Sequence, residues 1–273
     1  MNSTAKLLAA ALMGLFAFSA AATAQNAADD EGLPFGTRYS VGLDKKIIKG
    51  LHVELEEEAR LVDGVSTLDK LYTTAAVSYK VCPYLKVGVG YSAISARRMN
   101  EDVMTWDWRH RGFADITGMI KEGGWKFSLR ERFQATYRTR EVSVWEKPQT
   151  ALALKSRFKA SYMFRRSGLE PYASIEHRLM LNGAKWDELS TDEASFRNSE
   201  YIGLKDVYTN RLRSQFGLKW EISKKNAVEI YGLYDNITSK NIDSKKSKPQ
   251  LKLPVTTEHS NFAAIGVGYT FSF

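Results

Sequence analysis

The sequence contains only one cysteine, Cys82, so it cannot form an intramolecular disulfide framework. After the first 24 residues it has no run of eighteen apolar residues, which argues against a transmembrane helix in the rest of the chain. Its four histidines, His52, His110, His177 and His259, do not show the spacing of metal ligands. We therefore expect no metal site and no cofactor.

Residues 1–24 have the pattern of a signal peptide. Lys6 supplies the positive charge, Leu7 to Ala22 is apolar, and Ala22-Thr23-Ala24 matches a cleavage site. We predict that the protein is exported and that the mature chain begins near Gln25. A transmembrane anchor is the alternative, but the apolar run is short for a membrane span.

The formal net charge of +8 becomes +7 without the signal peptide, because Lys6 is the only charged residue in that segment. Such an excess could indicate nucleic acid or anionic lipid as a partner. The basic residues are not gathered in one block, however. Most recur at every second position, which is unusual for a nucleic-acid patch, so we expect no nucleic acid partner.

Apolar and polar residues alternate with period two through most of the chain, which is typical of β-strands. The segment Trp125–Tyr137 is among the clearest, with apolar residues at odd positions and Lys126, Arg130 and Arg132 at even positions. Eleven segments have this character. They are Arg38–Ile47, Leu51–Leu61, Leu71–Lys80, Leu85–Ala96, Trp106–Ile120, Trp125–Tyr137, Ala151–Tyr162, Leu169–Leu181, Tyr208–Glu221, Ala227–Asn236 and Asn261–Phe273.

This pattern predicts an all-β protein, a transmembrane antiparallel up-and-down β-barrel of about 10–12 strands over residues 37–273, after a flexible segment at 25–36. Single-chain bacterial barrels have even strand numbers and both termini on the periplasmic side. We therefore expect ten or twelve strands. Either Arg38–Ile47 is not a full strand, or one more lies near Glu141–Trp145 or within 187–206.

The chain ends on its most apolar strand, with Tyr269, Phe271 and Phe273 on one face. A terminal Phe preceded by alternating apolar residues resembles the C-terminal assembly signal of bacterial outer-membrane barrels. Three further features are the Leu51–Leu61 strand, the strand that holds Arg130 and Arg132, and the segment Glu170-Pro171-Tyr172. Together with the C-terminal strand, they resemble the domain-of-unknown-function 2490 family of outer-membrane proteins, common in Bacteroidetes-type bacteria.

The resemblance covers residues 36–273 and implies a β-barrel in the cell outer membrane. It brings no catalytic or binding residues, because the family has no established activity. In that setting we expect outer-membrane lipid and lipopolysaccharide as partners, and the barrel-assembly machinery during biogenesis. We also expect a monomer.

Charged residues on the polar strand faces would point into the lumen. The basic candidates are Arg130, Arg132, Lys155, Arg157, Lys159, Arg211 and Arg213. The acidic candidates are Glu54, Glu56, Glu58 and Glu176. Basic rings favour anions, which suggests a porin-like role in the transport of small solutes. The alternative is a structural barrel whose interior is filled by salt bridges.

A hydrolase would need a serine and a histidine within hydrogen-bonding reach, oriented by an acid or amide. The four histidines fit no such pattern, and His110 and His177 fall on the lipid-facing side of their strands. We therefore keep an outer-membrane enzyme acting on lipid or lipopolysaccharide only as the alternative function. A soluble periplasmic β-protein that binds ligands like a lipocalin is a third hypothesis.

Overall fold

A computed structural model describes residues 34–63, 66–100, 103–143, 146–187, 200–244 and 252–273. The predicted signal peptide at 1–24 lies outside these residues. So does most of the segment at 25–36, although its last two residues already belong to the first strand. Among the described residues, no helix is long and apolar enough to cross a membrane.

Eleven strands make up the described chain, and each matches one of the predicted segments. They are β1 (Phe35–Ile48), β2 (Leu51–Val62), β3 (Thr67–Cys82), β4 (Leu85–Asn100), β5 (Val103–Glu122), β6 (Trp125–Arg138), β7 (Thr150–Tyr162), β8 (Leu169–Asp187), β9 (Glu200–Glu221), β10 (Asn226–Ser244) and β11 (Lys252–Ser272). Each strand pairs with its neighbours in the chain, and the sheet closes on itself. The prediction of an all-β up-and-down barrel is confirmed.

Closure joins β1 to β11 in parallel, with Phe35 beside Ala263 and Asp44 beside Ser272. All other neighbouring strands are antiparallel. The expectation of an even strand number was therefore wrong. In a meander with an odd number of strands, the first and last run in the same direction, and a parallel ladder can still pair their backbones. Among the described residues, 141–143 are not a strand, and 200–206 belong to β9.

The barrel has two distinct ends. At one, the turn end, β1 and β2 are joined through Lys49 and Gly50, and Phe273 lies beside them: its amide donates to the Asp44 carbonyl at 3.0 Å. The strand pairs β6 and β7, β8 and β9, and β10 and β11 are connected in sequence at the other end, which we call the loop end. Pro34 directly precedes β1 at the loop end, and its carbonyl accepts a hydrogen bond at 3.0 Å from the Ala263 amide, midway along β11. Pro34 and Phe273, the first and last described residues, thus lie at opposite ends of the barrel.

The outer surface of the barrel is apolar. Ile116, Ile120 and Phe216 are 58%, 61% and 62% exposed. The inner surface is polar and buried, and Gln134 and Asp235 are only 1% and 2% exposed. This distribution follows from the period-two alternation, since successive side chains of a strand point to opposite faces.

Glycines on the inner face leave room for large side chains from neighbouring strands. A Cβ on Gly266 would lie 2.1 Å from the ring of Tyr231, and one on Gly90 would lie 2.3 Å from the ring of Phe113. A larger residue at either position would displace an aromatic side chain. These glycines therefore allow two lumenal rings to lie flat along the wall.

Candidate functional site

A cavity of about 430 Å³ lies inside the barrel, lined by side chains from every strand except β11. We call it the central chamber. Its basic lining residues are Arg38, Arg60, Arg111, Arg130, Arg132, Lys155, Arg157, Lys159 and Arg213. Its acidic ones are Glu56, Glu58, Glu176 and Glu229. Nine basic and four acidic side chains give the lining itself an excess of five positive charges.

The chamber brings together most of the charged residues that the sequence analysis selected. Six of the seven basic candidates line the chamber. The seventh, Arg211, donates a hydrogen bond to Glu176, which is part of the lining. Of the four acidic candidates only Glu54 lies elsewhere, where it accepts hydrogen bonds from Ser78 at 3.2 Å and Lys86 at 3.4 Å. These lining residues lie on the inner face of their strands.

Glu176 on β8 is surrounded by cations from three other strands. Arg130 of β6 donates to it at 3.1 Å, and Arg211 of β9 donates at 2.9 Å. The Lys155 ammonium of β7 is 4.0 Å away. One buried carboxylate thus faces three positive charges and cannot neutralise all of them.

Asp235 on β10 forms a second centre, which sequence analysis missed. The Nε and a terminal nitrogen of Arg213 donate to its two oxygens, each at 2.6 Å, in the bidentate geometry that guanidinium and carboxylate favour. Arg38 and Arg211 lie 3.9 Å from it. Asp235 escaped notice because the buried, inward-facing Leu233 obscures the alternation of β10. Counting every second residue of β10 from Glu229 leads to Asp235 and would have placed it on the inner face.

Asp115 on β5 forms a third centre with Arg132 of β6, through hydrogen bonds of 3.0 and 2.5 Å. Sequence analysis did not select Asp115 as a lumenal charge, although it falls on the polar face of its strand. Gly88 on the neighbouring strand leaves space for it, because a Cβ there would come within 3.0 Å of the carboxylate.

Several polar groups in this region have no protein partner. Among the described residues, Arg157 and Lys159 have no carboxylate within 4 Å, and the Lys159 ammonium lies instead 3.5 Å from the centre of the Tyr172 ring. Four buried side-chain atoms also lack a hydrogen bond within the protein. They are the Nε atoms of Arg130, Arg178 and Arg211 and the Oε1 of Gln134. A bound polar solute or water could satisfy such groups, which are costly to bury unpaired.

Charge is distributed unevenly around the chamber. Lys155, Arg157 and Lys159 occupy alternate inward positions of β7, and Glu56 and Glu58 occupy alternate inward positions of β2. In the closed order of strands, β2 lies five strands from β7 in one direction and six in the other. The basic and acidic rows therefore stand on opposite walls.

Two further cavities lie towards the barrel ends. The one at the loop end has a volume of about 610 Å³ and is lined by Arg138, Arg178 and Lys240, among others. The one at the turn end measures about 380 Å³ and includes Lys126 and Lys219. Basic side chains therefore line all three of these spaces.

The histidines are spread over the barrel. His52 is 2.8 Å from Asp44, His177 is 2.9 Å from Thr209, and His259 is 3.2 Å from Thr238, while His110 contacts Tyr91. No described hydrogen bond joins a histidine to a serine. The part of the chain that the structure describes also contains no group of three side chains suited to hold a metal ion.

The three aromatic residues of the predicted assembly signal close the barrel at the turn end. Phe271 stacks on Phe273 with ring centres 5.6 Å apart, and the ammonium of Lys45 lies 4.4 Å above the Phe273 ring. The Tyr269 hydroxyl donates to Asn226 at 2.5 Å. The C-terminal strand is thus fixed to both of its neighbours.

Comparison with known proteins identifies a family and several similar solved structures. A family model described as Protein of unknown function (DUF2490) matches residues 35–246, which leaves out β11. No curated protein matches the chain. Among solved structures, the outer-membrane expressed OmpT of Vibrio cholerae is similar, with a TM-score of 0.37 and 12% sequence identity. The alignment covers 80% of this chain and 60% of that chain, so this chain spans less than two thirds of its length.

Proposed function

The chain belongs to the DUF2490 family, as its sequence indicated, and because that family is described only as of unknown function, we propose a role from the residues themselves. The protein is an outer-membrane β-barrel that gives small anionic solutes a path through its lumen. The chain reaches the membrane after export and removal of residues 1–24.

The apolar exterior supports insertion into a lipid bilayer. Every Val, Leu, Ile or Phe side chain left in water forgoes about 1.5–3 kcal/mol of burial, and this barrel exposes many of them on its outer face. In hydrocarbon the same side chains are in a favourable solvent, and a closed sheet satisfies its backbone hydrogen bonds internally. A soluble barrel that carries ligands would need the opposite arrangement.

An aromatic cluster near the turn end fits a membrane interface. Trp125 meets Tyr162 edge to face with ring centres 5.1 Å apart, and Tyr162 meets Phe164 at 4.9 Å. Phe127 stacks on Trp125 at 5.9 Å. Outer-membrane barrels carry girdles of such residues at the level of the lipid headgroups.

The excess of positive charge around the central chamber is the observation that carries the assignment to anions. Glu176, Asp235 and Asp115 each neutralise part of the basic lining, but Arg157 and Lys159 have no carboxylate within 4 Å among the described residues. A net positive lumen attracts anions and repels cations, since interactions are weakly screened away from bulk water.

Conductance across a planar lipid bilayer tests this function. Purified protein in a gradient of potassium chloride should give discrete current steps. The reversal potential should lie close to the equilibrium potential of chloride. A reversal potential set by potassium would refute an anion path. Absence of any steps would favour a barrel whose interior is filled by its own salt bridges.

A further inference from the structure

We propose that the central chamber binds small zwitterions, such as amino acids and short peptides. The carboxylate of the solute is held on the β7 wall by Arg157, and its ammonium group faces Glu56 on the β2 wall. This assignment rests on the proposed function in one respect, namely that small solutes reach the lumen.

The two walls are placed to act on one solute. Eleven strands about 4.8 Å apart and tilted by ~40° enclose a backbone cylinder roughly 22 Å wide. Long Arg and Glu side chains from opposite strands take up much of that width. Accordingly, Arg157 and Glu56 both line the same cavity of about 430 Å³. That volume lies within the range of small-molecule pockets.

Each wall presents one charged group that has neither an ion pair nor an aromatic contact within the described part of the protein. On β2, Glu58 is paired with Arg60 and Glu54 with Lys86 at 3.4 Å, whereas Glu56 has no Lys or Arg within 4 Å among the described residues. On β7, Lys155 is 4.0 Å from Glu176 and Lys159 lies 3.5 Å from the centre of the Tyr172 ring, whereas Arg157 has neither kind of contact among the described residues. The open pair is therefore one guanidinium and one carboxylate on opposite sides.

A solute with two charges of opposite sign is attracted electrostatically to both walls. A simple anion gains at Arg157 but is repelled by Glu56, and a simple cation is repelled by most of the chamber. Interaction with each wall is weakly screened, because a solute in contact with a charged side chain is closer to it than the Debye length of about 8 Å at physiological ionic strength. The chamber thus favours zwitterions over singly charged solutes of the same size.

Isothermal titration calorimetry on the full chain in detergent tests this assignment with three matched probes. Dialanine is the zwitterion, N-acetyl-dialanine the anion, and dialanine amide the cation. We expect dialanine to bind about tenfold more tightly than N-acetyl-dialanine, the effect of one additional charge-assisted hydrogen bond. The amide should bind most weakly.

Variants assign the two ends of the site. Glu56→Gln should weaken dialanine binding about tenfold while leaving N-acetyl-dialanine unchanged or tighter, because only the ammonium partner is lost. Arg157→Gln should weaken both probes. The matched control is Glu57→Gln, which changes the neighbouring residue on the outer face of β2 and should leave all three affinities as they are.

The outcomes separate this inference from anion passage. If N-acetyl-dialanine binds as tightly as dialanine, the zwitterion site is wrong, whatever the bilayer currents show. A preference for dialanine that survives Glu56→Gln overturns the assignment to this carboxylate. Tight dialanine binding by a protein that passes no chloride supports the site and refutes only the transport function. The ranking of the three probes on the unaltered protein is decisive even where a variant fails to fold.

Discussion

Arg213 holds Asp235 by two hydrogen bonds of 2.6 Å, and through Asp235 it connects β9 to β10. Arg38 of β1 approaches the same carboxylate to 3.9 Å from the far side of β11. One buried acid therefore connects both sides of the seam between β1 and β11.

Replacing Asp235 by Asn should destabilise the folded barrel by about 3 kcal/mol, since removing one partner leaves buried cations uncompensated. The measurement is the thermal unfolding of purified barrel, followed by its shift in electrophoretic migration. Asp206→Asn is the control, because Asp206 pairs with Lys240 near the loop end and is more exposed. It should cost less than about 1 kcal/mol. Equal loss of thermal stability in the two variants would show that Asp235 does not link the strands on the two sides of the seam.

Reversing the two charges on β7 should remove most of the anion selectivity of the barrel. The double variant Arg157→Glu, Lys159→Glu changes the chamber by four charges and nearly cancels its positive excess. The reversal potential in a potassium chloride gradient should move from the chloride side towards the potassium side. Arg166→Glu, in the exposed turn after β7, should leave it unchanged. An unaltered reversal potential in the double variant would mean that ions do not pass this wall.

Gly266→Ala should destabilise the barrel by about 1–3 kcal/mol, because the added methyl group overlaps the ring of Tyr231. Thermal unfolding gives the magnitude. Gly118→Ala provides the comparison, since a Cβ at Gly118 meets nothing within 4 Å. The paired change Gly266→Ala, Tyr231→Ala should remove the steric part of the loss. A double variant no better than the sum of the two single changes would argue against overlap as the cause.

Deleting Phe273 should impair assembly in the membrane. The residue contributes two hydrogen bonds to the seam: its amide donates to Asp44 at 3.0 Å, and its carbonyl accepts from Lys46 at 3.1 Å. It also stacks on Phe271. The fraction of heat-modifiable protein in the outer-membrane fraction should fall, whereas Phe273→Trp, which keeps the backbone and a ring, should assemble normally. Normal assembly of the truncated chain would contradict its role as an assembly signal.

The parallel seam can be tested by cross-linking. In a Cys82→Ser background, Tyr39→Cys with Val267→Cys should form a disulfide on mild oxidation, because these positions are direct partners across the seam. Neighbouring strands lie within the Cα distance that a disulfide needs. Tyr39→Cys with Phe271→Cys is displaced by four residues and should stay reduced. Efficient cross-linking of the displaced pair would require a different register.

Much of this architecture could be read from alternation alone. Trp125–Tyr137 became β6 with only one residue added, since a strand with an apolar outer face and a polar inner face must alternate. The count of eleven was also right, but the even-number rule overrode it. That rule describes how bacterial barrels usually close, and nothing in a single strand shows how the two ends of a sheet will meet.

The lumenal contacts were predictable as a face but not as pairs. Arg130 reaches Glu176 across the whole of β7, and Arg38 reaches Asp235 across β11. Such contacts depend on the stagger between strands, which alternation does not specify. Arg60 and Asp115 occupy inward positions of their strands, but no sequence signal shows which other lumenal side chains they contact.

An odd number of strands has a consequence for the topology of the chain. Pro34 and Phe273 lie at opposite ends of the barrel, so in a membrane they face different compartments. A protease site engineered just before Phe35 and a second one placed after Phe273 would be cut from opposite sides of the bilayer. In an even-numbered barrel one protease, added to one side, would reach both.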